Sequence, residues 1–189
     1  VVDFDARESA AAGGRGVGGM SASSEENAFC EVCGGRESSE GDEIVFCDGC
    51  DVAVHVGCFG LSSVPAAEEW YCDACAACVA PECGVCGVPG GALKVAECGS
   101  WAHVCCALWT PELVVDERMR PCSLSRVEAR RAGVPCEVCG APGGGIECAQ
   151  PGCGRSCHAS CALHGPFALS TAGAGAQPFE VLCAAHAAG

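Results

Sequence analysis

The chain alternates short apolar runs with long polar or glycine-rich stretches, and this pattern predicts only brief secondary-structure elements. The run Glu43-Ile44-Val45-Phe46 predicts a short strand. The segment from His103 to Trp109 predicts a short helix that Pro111 ends. No stretch is long and apolar enough to span a membrane. We therefore expect a small, irregular fold of short β-hairpins and short helices.

The composition leaves little material for a large hydrophobic core. Apolar residues make up 50% of the 189 residues, but this fraction includes 21 Cys, and the aromatic residues are only six Phe, three Trp and one Tyr. A chain so poor in large side chains needs covalent or metal cross-links. We expect bound metal, rather than a hydrophobic interior, to hold the fold.

The cysteine pattern favours metal over disulfides. The number of cysteines is odd, the first residues show no apolar run of the kind expected in a signal peptide, and the repeated Cys-x2-Cys pairs with a following His-x2-Cys have metal-ligand spacing. Zinc is the metal that this ligand set predicts, which indicates a reducing intracellular compartment.

Sixteen cysteines and four of the five histidines form five sets of four zinc ligands. Spacing alone leaves open which pairs in the first and last modules share an ion. Each ion has four protein ligands available, so no position stays open for a catalytic water. We interpret the chain as a binding module, not an enzyme. The ligands are Cys30, Cys33, Cys47, Cys50, His55, Cys58, Cys72 and Cys75; then Cys83, Cys86, His103 and Cys106; then Cys136, Cys139, Cys148, Cys153, His158, Cys161, Cys183 and His186.

The ligand groups and the local composition divide the chain into five segments. Because the chain begins with Val, we expect it to be a piece of a longer protein. The segments are a disordered Ala/Gly/Ser-rich stretch (1–27), a first finger (28–76), a zinc knuckle (83–106), an Arg-bearing connector (107–135) and a last finger (136–186).

The first module resembles the PHD finger in its order of four Cys, one His and three Cys. Trp70 lies two residues before the seventh ligand, and Asp48 lies inside the second pair. The RING pattern is the nearest alternative, but it places its first His after three Cys and lacks the Trp. The resemblance implies an interleaved cross-brace. One zinc would take Cys30, Cys33, His55 and Cys58, and the other Cys47, Cys50, Cys72 and Cys75.

Residues 28–186 as a whole resemble the PHD finger–zinc knuckle–extended PHD finger cassette. The runs 90–94 (GGALK) and 101–112 (WAHVCCALWTPE) look like the signature of its knuckle. Such cassettes occur in bromodomain-PHD scaffold, Jade-type, AF-type and plant trithorax-type chromatin proteins. For the last finger the resemblance implies one zinc on Cys136, Cys139, His158 and Cys161, and one on Cys148, Cys153, Cys183 and His186.

The resemblance also implies that the first finger reads the N-terminal tail of histone H3, added as a strand beside Glu43 to Cys47. Main-chain pairing would supply affinity and side-chain pockets specificity. Asp48 would hold the tail's first arginine, and Glu43 with Asp42 its first lysine. The alternatives are a turn-forming Asp48 and a solvated acidic loop. The implied histone contacts are Asp42, Glu43, Ile44, Val45, Phe46, Asp48, Pro65, Ala66, Ala67 and Glu68.

The residue two positions before the His ligand bears on whether the finger would prefer methylated or unmodified lysine. PHD fingers that read methyl-lysine commonly place a Trp two residues before the His ligand, where this chain has Ala53 between Val52 and Val54. A quaternary ammonium requires an aromatic cage. We therefore predict a preference for the unmodified tail.

Charge favours a cationic partner for the first finger. The net charge is −14, and residues 1–75 hold 15 Asp/Glu against three Lys/Arg. DNA is the second candidate partner, because arginines that could contact phosphates cluster before the last finger. The alternative, which we favour, is a solvated linker with ion pairs to Asp116, Glu117 and Glu128. The candidate DNA-binding residues are Arg118, Arg120, Arg126, Arg130, Arg131 and Arg155.

Five cysteines fall outside the ligand sets. Cys105 and Cys157 are each adjacent to a ligand, and Cys98 could replace a ligand of the knuckle. We interpret all five, including Cys78 and Cys122, as small buried hydrophobes or idle thiols.

Three functions remain as hypotheses. The first is a chromatin reader in a larger nuclear regulator of transcription or histone modification. The second is a structural platform for other chromatin-complex subunits. The third is a RING-type ubiquitin ligase.

Overall fold

The computed structural model describes residues 28–110, 112–124, 133–170 and 180–187. The predicted disordered segment 1–27 lies outside these ranges. Within them the chain forms five antiparallel two-stranded hairpins and four short helices, which confirms the expected fold class. No helix in this part of the chain is long and apolar enough to cross a membrane.

The elements follow one another along the chain without large layers. The hairpins are β1 (Ile44–Phe46) with β2 (Ala53–His55), β3 (Leu93–Val95) with β4 (Trp101–His103), β5 (Val114–Val115) with β6 (Pro121–Cys122), β7 (Ile146–Glu147) with β8 (Ser156–Cys157), and β9 (Ala168–Ser170) with β10 (Glu180–Leu182). The helices are α1 (Asp73–Ala76), α2 (Val104–Trp109), α3 (Ala159–His164) and α4 (Ala184–Ala187).

One local unit occurs three times among the residues that the structure describes. Each copy begins with a Cys-x2-Cys-Gly turn, in which the glycine N–H donates to the carbonyl of the first cysteine at 2.7–2.8 Å. The glycines Gly34, Gly87 and Gly140 all have φ near +74°, a conformation that favours residues without a Cβ. A hairpin and then His-x2-Cys complete the unit. The knuckle is one such unit alone, and each finger adds a second metal site to it.

A first hydrophobic cluster fills the first finger and extends into the knuckle. Its largest fully buried side chain is Phe59, which packs with Val32 and Val54. Ala92 and Val104 of the knuckle belong to the same cluster. The knuckle therefore supplies part of the interior of the first finger.

A second cluster joins the knuckle to the last finger. Trp109, Leu113 and Leu124 pack in it together with Ile146 and Phe167. The segment 107–124, which the sequence suggested as part of a connector, thus contributes buried side chains. Two apolar clusters therefore cross the module boundaries, and the expectation that bound metal holds the fold stays a prediction.

The first and last fingers also touch each other directly. The Phe29 ring lies edge-on to the His164 ring of α3, with centroids 4.5 Å apart. Leu163 packs on Gly34: a Cβ added at Gly34 would lie 3.3 Å from the Cδ2 of Leu163. The three modules therefore contact one another pairwise.

Candidate metal centres and peptide-binding surface

The structure brings the four ligand atoms of each predicted set together, within 4.8 Å of one another. In both fingers the two sets interleave along the chain, which is the cross-brace. The five clusters are Cys30, Cys33, His55 and Cys58; Cys47, Cys50, Cys72 and Cys75; Cys83, Cys86, His103 and Cys106; Cys136, Cys139, His158 and Cys161; and Cys148, Cys153, Cys183 and His186.

The distances between ligand atoms fit tetrahedral zinc. Zinc–sulfur bonds of about 2.3 Å and zinc–nitrogen bonds of about 2.05 Å at tetrahedral angles separate two sulfurs by about 3.8 Å, and a sulfur from a nitrogen by about 3.6 Å. The recorded Sγ–Sγ separations of Cys50–Cys72 and Cys153–Cys183 are 3.8 Å. The recorded Sγ–Nδ1 separations lie between 3.3 and 3.8 Å. Zinc as the cofactor, with five sites, is confirmed.

Hydrogen bonds from backbone N–H groups lower the pKa of several ligand thiols. Cys47 Sγ accepts from the N–H groups of Cys72 at 3.2 Å and Gly49 at 3.4 Å. Burial raises the pKa of the Cys47 thiol, but these backbone hydrogen bonds outweigh burial and lower the pKa to about 7. Cys148 has the same arrangement in the last finger, where burial is outweighed by hydrogen bonds from Cys183 and Gln150 and the pKa falls to about 6. A lowered pKa favours the thiolate that zinc requires.

Three ligand histidines are held by backbone carbonyls. The Nε2 of His55 lies 3.0 Å from the Glu37 oxygen, that of His103 lies 2.7 Å from the Gly90 oxygen, and that of His158 lies 2.9 Å from the Pro142 oxygen. A carbonyl can only accept, so Nε2 carries the proton and Nδ1 keeps its lone pair for the metal. Such partners fix the ring and its tautomer. The sequence did not predict these carbonyls, because no side-chain pattern marks them.

The five remaining cysteines lie outside the metal clusters. Cys105 and Cys157 are buried at 2% and 0% exposure, while Cys78 and Cys98 are exposed. Burial raises the pKa of Cys157 to about 12, which keeps it a neutral thiol. The half-buried Cys122 has its Sγ 3.6 Å from the Arg120 carbonyl oxygen. The two buried thiols act as small hydrophobic side chains.

Most of the residues predicted to bind a peptide surround one shallow cavity of the first finger. Its volume is about 230 Å³, and its lining includes Val64 and Trp70, which the sequence analysis did not assign to binding. In the sequence, Trp70 stands out only by its position two residues before a zinc ligand. Asp42, Glu43, Ile44 and Ala66 are not part of the lining. The predicted residues that line the cavity are Val45, Phe46, Asp48, Pro65, Ala67 and Glu68.

Three of the four acidic residues predicted to contact the tail accept a local hydrogen bond through the carboxylate. Asp48 Oδ2 accepts from the Trp70 N–H at 2.7 Å, and Asp42 Oδ1 accepts from the Gly57 N–H at 2.7 Å. Glu43 Oε1 accepts from the Gly41 N–H at 3.2 Å, whereas Glu43 Oε2 is buried and has no hydrogen-bond partner among the described residues. Backbone N–H groups therefore hold all three carboxylates, and one oxygen of Glu43 stays buried without a partner among the described residues.

The candidate DNA-binding arginines divide into two groups. Arg120 binds the Asp116 carboxylate at 2.7–2.8 Å, and Arg155 binds Glu137 at 3.1 Å. Hydrogen bonds from Arg120 and Arg118 hold the pKa of Asp116 below its ordinary value. Arg118 lies in the turn between β5 and β6. Arg126, Arg130 and Arg131 lie outside the described residues.

The geometry defines a class: small zinc-stabilised binding modules in which two cross-brace fingers flank a single-zinc knuckle. The chain belongs to the PHD-zinc-finger-like family, whose model matches residues 81–186, and a PHD-finger model matches residues 41–76. It is a PHD finger–zinc knuckle–extended PHD finger cassette.

Known proteins share this arrangement. The E3 ubiquitin-protein ligase Jade-2 of Mus musculus is 37% identical over 90% of this chain and 21% of its own length. The PHD finger protein rhinoceros of Drosophila melanogaster is 37% identical over 78% of this chain and 5% of its own. The crystal structure of zebrafish PHF14-PZP superposes with a TM-score of 0.70 at 33% identity, covering 84% of this chain and 88% of that one. The chain spans about a fifth of the Jade-2 relatives that it matches.

Proposed function

We propose that this cassette is a chromatin reader, which binds the unmodified N-terminal tail of histone H3 through its first finger and works in the nucleus as part of a larger regulator. The cross-brace finger and the family membership support a binding role. Strand β1, the adjoining cavity and Glu43 support the specific partner.

Strand β1 offers an open edge for an added strand. It pairs with β2 in the register Val45 to Val54, and flanking hydrogen bonds join Val56 to Glu43 and Cys47 to Val52. In an antiparallel ladder successive residues alternate in direction. The peptide groups of Ile44 and Phe46 therefore point away from β2. The Ile44 N–H already donates to Ser38 Oγ at 3.0 Å, so a partner strand can use the Ile44 carbonyl and the Phe46 groups, and would reach the Ile44 N–H only by displacing Ser38.

The cavity beside Asp48 suits a cationic side chain. Asp48 and Trp70 line it together with Val45, Phe46, Val64, Pro65, Ala67 and Glu68. Asp48 is exposed and is kept in place by its bond to the Trp70 N–H. An arginine lying there would meet a carboxylate beside an aromatic residue, which is a favourable combination for a guanidinium.

The single observation on which the proposal depends most is Glu43 Oε2. A buried carboxylate oxygen without a hydrogen-bond partner is costly, and an ammonium from an added strand would satisfy it. Ala53, at the position of the cage Trp, is buried at 8% exposure and offers no aromatic face. Methylation removes the ammonium donors that a carboxylate requires, so we expect unmodified lysine to be preferred.

The test is calorimetry with H3 tail peptides on the zinc-loaded cassette. Glu43→Gln removes the charge at the buried oxygen and should weaken binding about tenfold. Glu40→Gln, an exposed glutamate of the same loop, is the matched control and should change affinity less than twofold. Equal affinities for the two variants, or tighter binding of a peptide trimethylated at its first lysine, would contradict the proposal.

Two other functions can be separated from the reader. In a structural platform for chromatin-complex subunits, partner binding would persist when Asp48 and Glu43 are both replaced.

Ubiquitin ligation is favoured by the name of the Jade-2 relatives. Discharge of ubiquitin from a charged conjugating enzyme by this cassette alone would establish that activity. DNA contact by the last finger stays the less favoured interpretation; salt-dependent binding of duplex DNA by residues 107–189, lost on Arg-to-Ala replacement, would establish it.

A further inference from the structure

Most of the positively charged side chains among the described residues line one cavity. The described residues include five Lys or Arg, and three of them, Lys94, Arg118 and Arg120, line a cavity of about 740 Å³. The other two, Arg36 and Arg155, lie elsewhere. In a chain with a net charge of −14, this concentration calls for an explanation.

The cavity lies between the first finger and the knuckle. Residues 60–62 and Asp73 of α1 contribute the finger side, and Lys94 and Val95 of β3 contribute the knuckle side. The turn 117–120 forms the remaining wall. The Arg118 backbone packs so closely on Gly60 that a Cβ there would lie 2.3 Å from the Arg118 carbonyl carbon. The walls are therefore fixed in position relative to one another.

Lys94 is a buried ammonium with an imperfect partner. Its side chain is 6% exposed, and its Nζ lies 3.4 Å from both carboxylate oxygens of Asp73. Charge-assisted hydrogen bonds to carboxylates are normally about 2.7–2.9 Å long. The ammonium also lies 4.1 Å from the centroid of the Phe59 ring. An ammonium has three donors, so this group retains capacity for a better acceptor.

Arg118 differs from its neighbour Arg120. Asp116 holds the Arg120 guanidinium through two short contacts. For the Arg118 side chain, no ion pair is recorded with the part of the chain that the structure describes, and its backbone N–H is what bonds to Asp116 at 2.9 Å. The exposed Ser62 adds a hydroxyl to the same cavity.

We propose that this cavity is a second binding site, which takes one carboxylate or phosphate group of a partner peptide between Lys94 and Arg118. Asp73 and Glu117 in the lining would repel a polyanion, so the site fits a single anionic group better than a nucleic-acid backbone. It is separate from the cavity beside β1 and does not depend on the proposed reading of a histone tail.

The experiment follows amide signals of the zinc-loaded cassette by NMR. The probes are inorganic phosphate and three capped pentapeptides that differ only at the central residue: glutamate, phosphoserine or glutamine. We expect phosphate and at least one anionic peptide to shift the signals of Ser62, Lys94 and Arg118, while the glutamine peptide leaves them unchanged. Binding of the phosphoserine peptide alone identifies phosphate as the source, and binding of the glutamate peptide shows that a carboxylate suffices.

Single substitutions test whether the anionic probes bind at Lys94 and Arg118. Arg118→Gln should weaken binding of the anionic probe about tenfold, whereas Arg36→Gln, a matched removal of charge on the first finger away from the cavity, should leave it unchanged. Lys94→Met should also weaken binding, with five bound zinc ions as the check that this variant still folds. The proposal is overturned if the shifts lie outside the cavity, if both arginine variants behave alike, or if a short DNA duplex shifts the cavity signals more strongly than the anionic peptides do.

Discussion

Replacing Gly60 by Ala tests how the first finger is fixed to the segment that follows the knuckle. Gly60 has φ +69°, and a Cβ there would lie 2.3 Å from the Arg118 carbonyl carbon, 2.6 Å from its oxygen and 2.7 Å from its Cα. All three are backbone atoms, so no side-chain rotation relieves the contact. The left-handed conformation costs an alanine about 1–2 kcal/mol, and overpacking adds about 1–3 kcal/mol.

Gly41→Ala is the matched control within the same finger. Gly41 has φ +84°, and no other described atom lies within 4 Å of its added Cβ, so only the conformational cost applies. A chain of this length loses about 2–4 °C in Tm per kcal/mol. Gly60→Ala should therefore melt roughly 5 °C below Gly41→Ala when the zinc-loaded proteins are compared by circular dichroism. Equal melting temperatures would refute the close contact between the two segments.

Two further predictions concern metal and pH. Native mass spectrometry should find five zinc ions, and a chelator that removes them should abolish the hairpin signal in circular dichroism; an unchanged spectrum would show that the apolar clusters suffice. Burial lowers the pKa of the Lys94 ammonium below 10.5, although Asp73 opposes the shift. Between that lowered pKa and 10.5 the unfolded chain binds more protons than the folded chain. The free energy of unfolding therefore rises with pH in this range. Lys94→Met should flatten this rise in urea titrations, and parallel profiles for the two proteins would argue against it.

The ligand pattern could be predicted from sequence because its constraints are local. Two cysteines separated by two residues lie on one turn, and the order of pairs resembles a known cross-brace. The strand ending at Phe46 and the helix ending at Trp109 were predicted for the same reason, since a short apolar run and a following proline mark them.

The packing between modules could not be predicted in this way. Val104 enters the interior of the first finger from the knuckle, and Phe29 meets His164 across 135 residues of chain. Neither residue differs in sequence from an ordinary surface or core position. The carbonyl partners of the histidines depend on loop conformation, which side-chain spacing does not encode. Contacts between residues far apart in the sequence, rather than local secondary-structure propensity, determine this packing between modules.

The contribution of Ala92 and Val104 to the neighbouring finger has an evolutionary consequence. Recombination that moved the knuckle alone into another protein would leave a void in the donor and an uncovered apolar face on the transplanted piece. Selection should therefore retain or discard the three zinc units together. We expect the heritable building block to be the entire triplet.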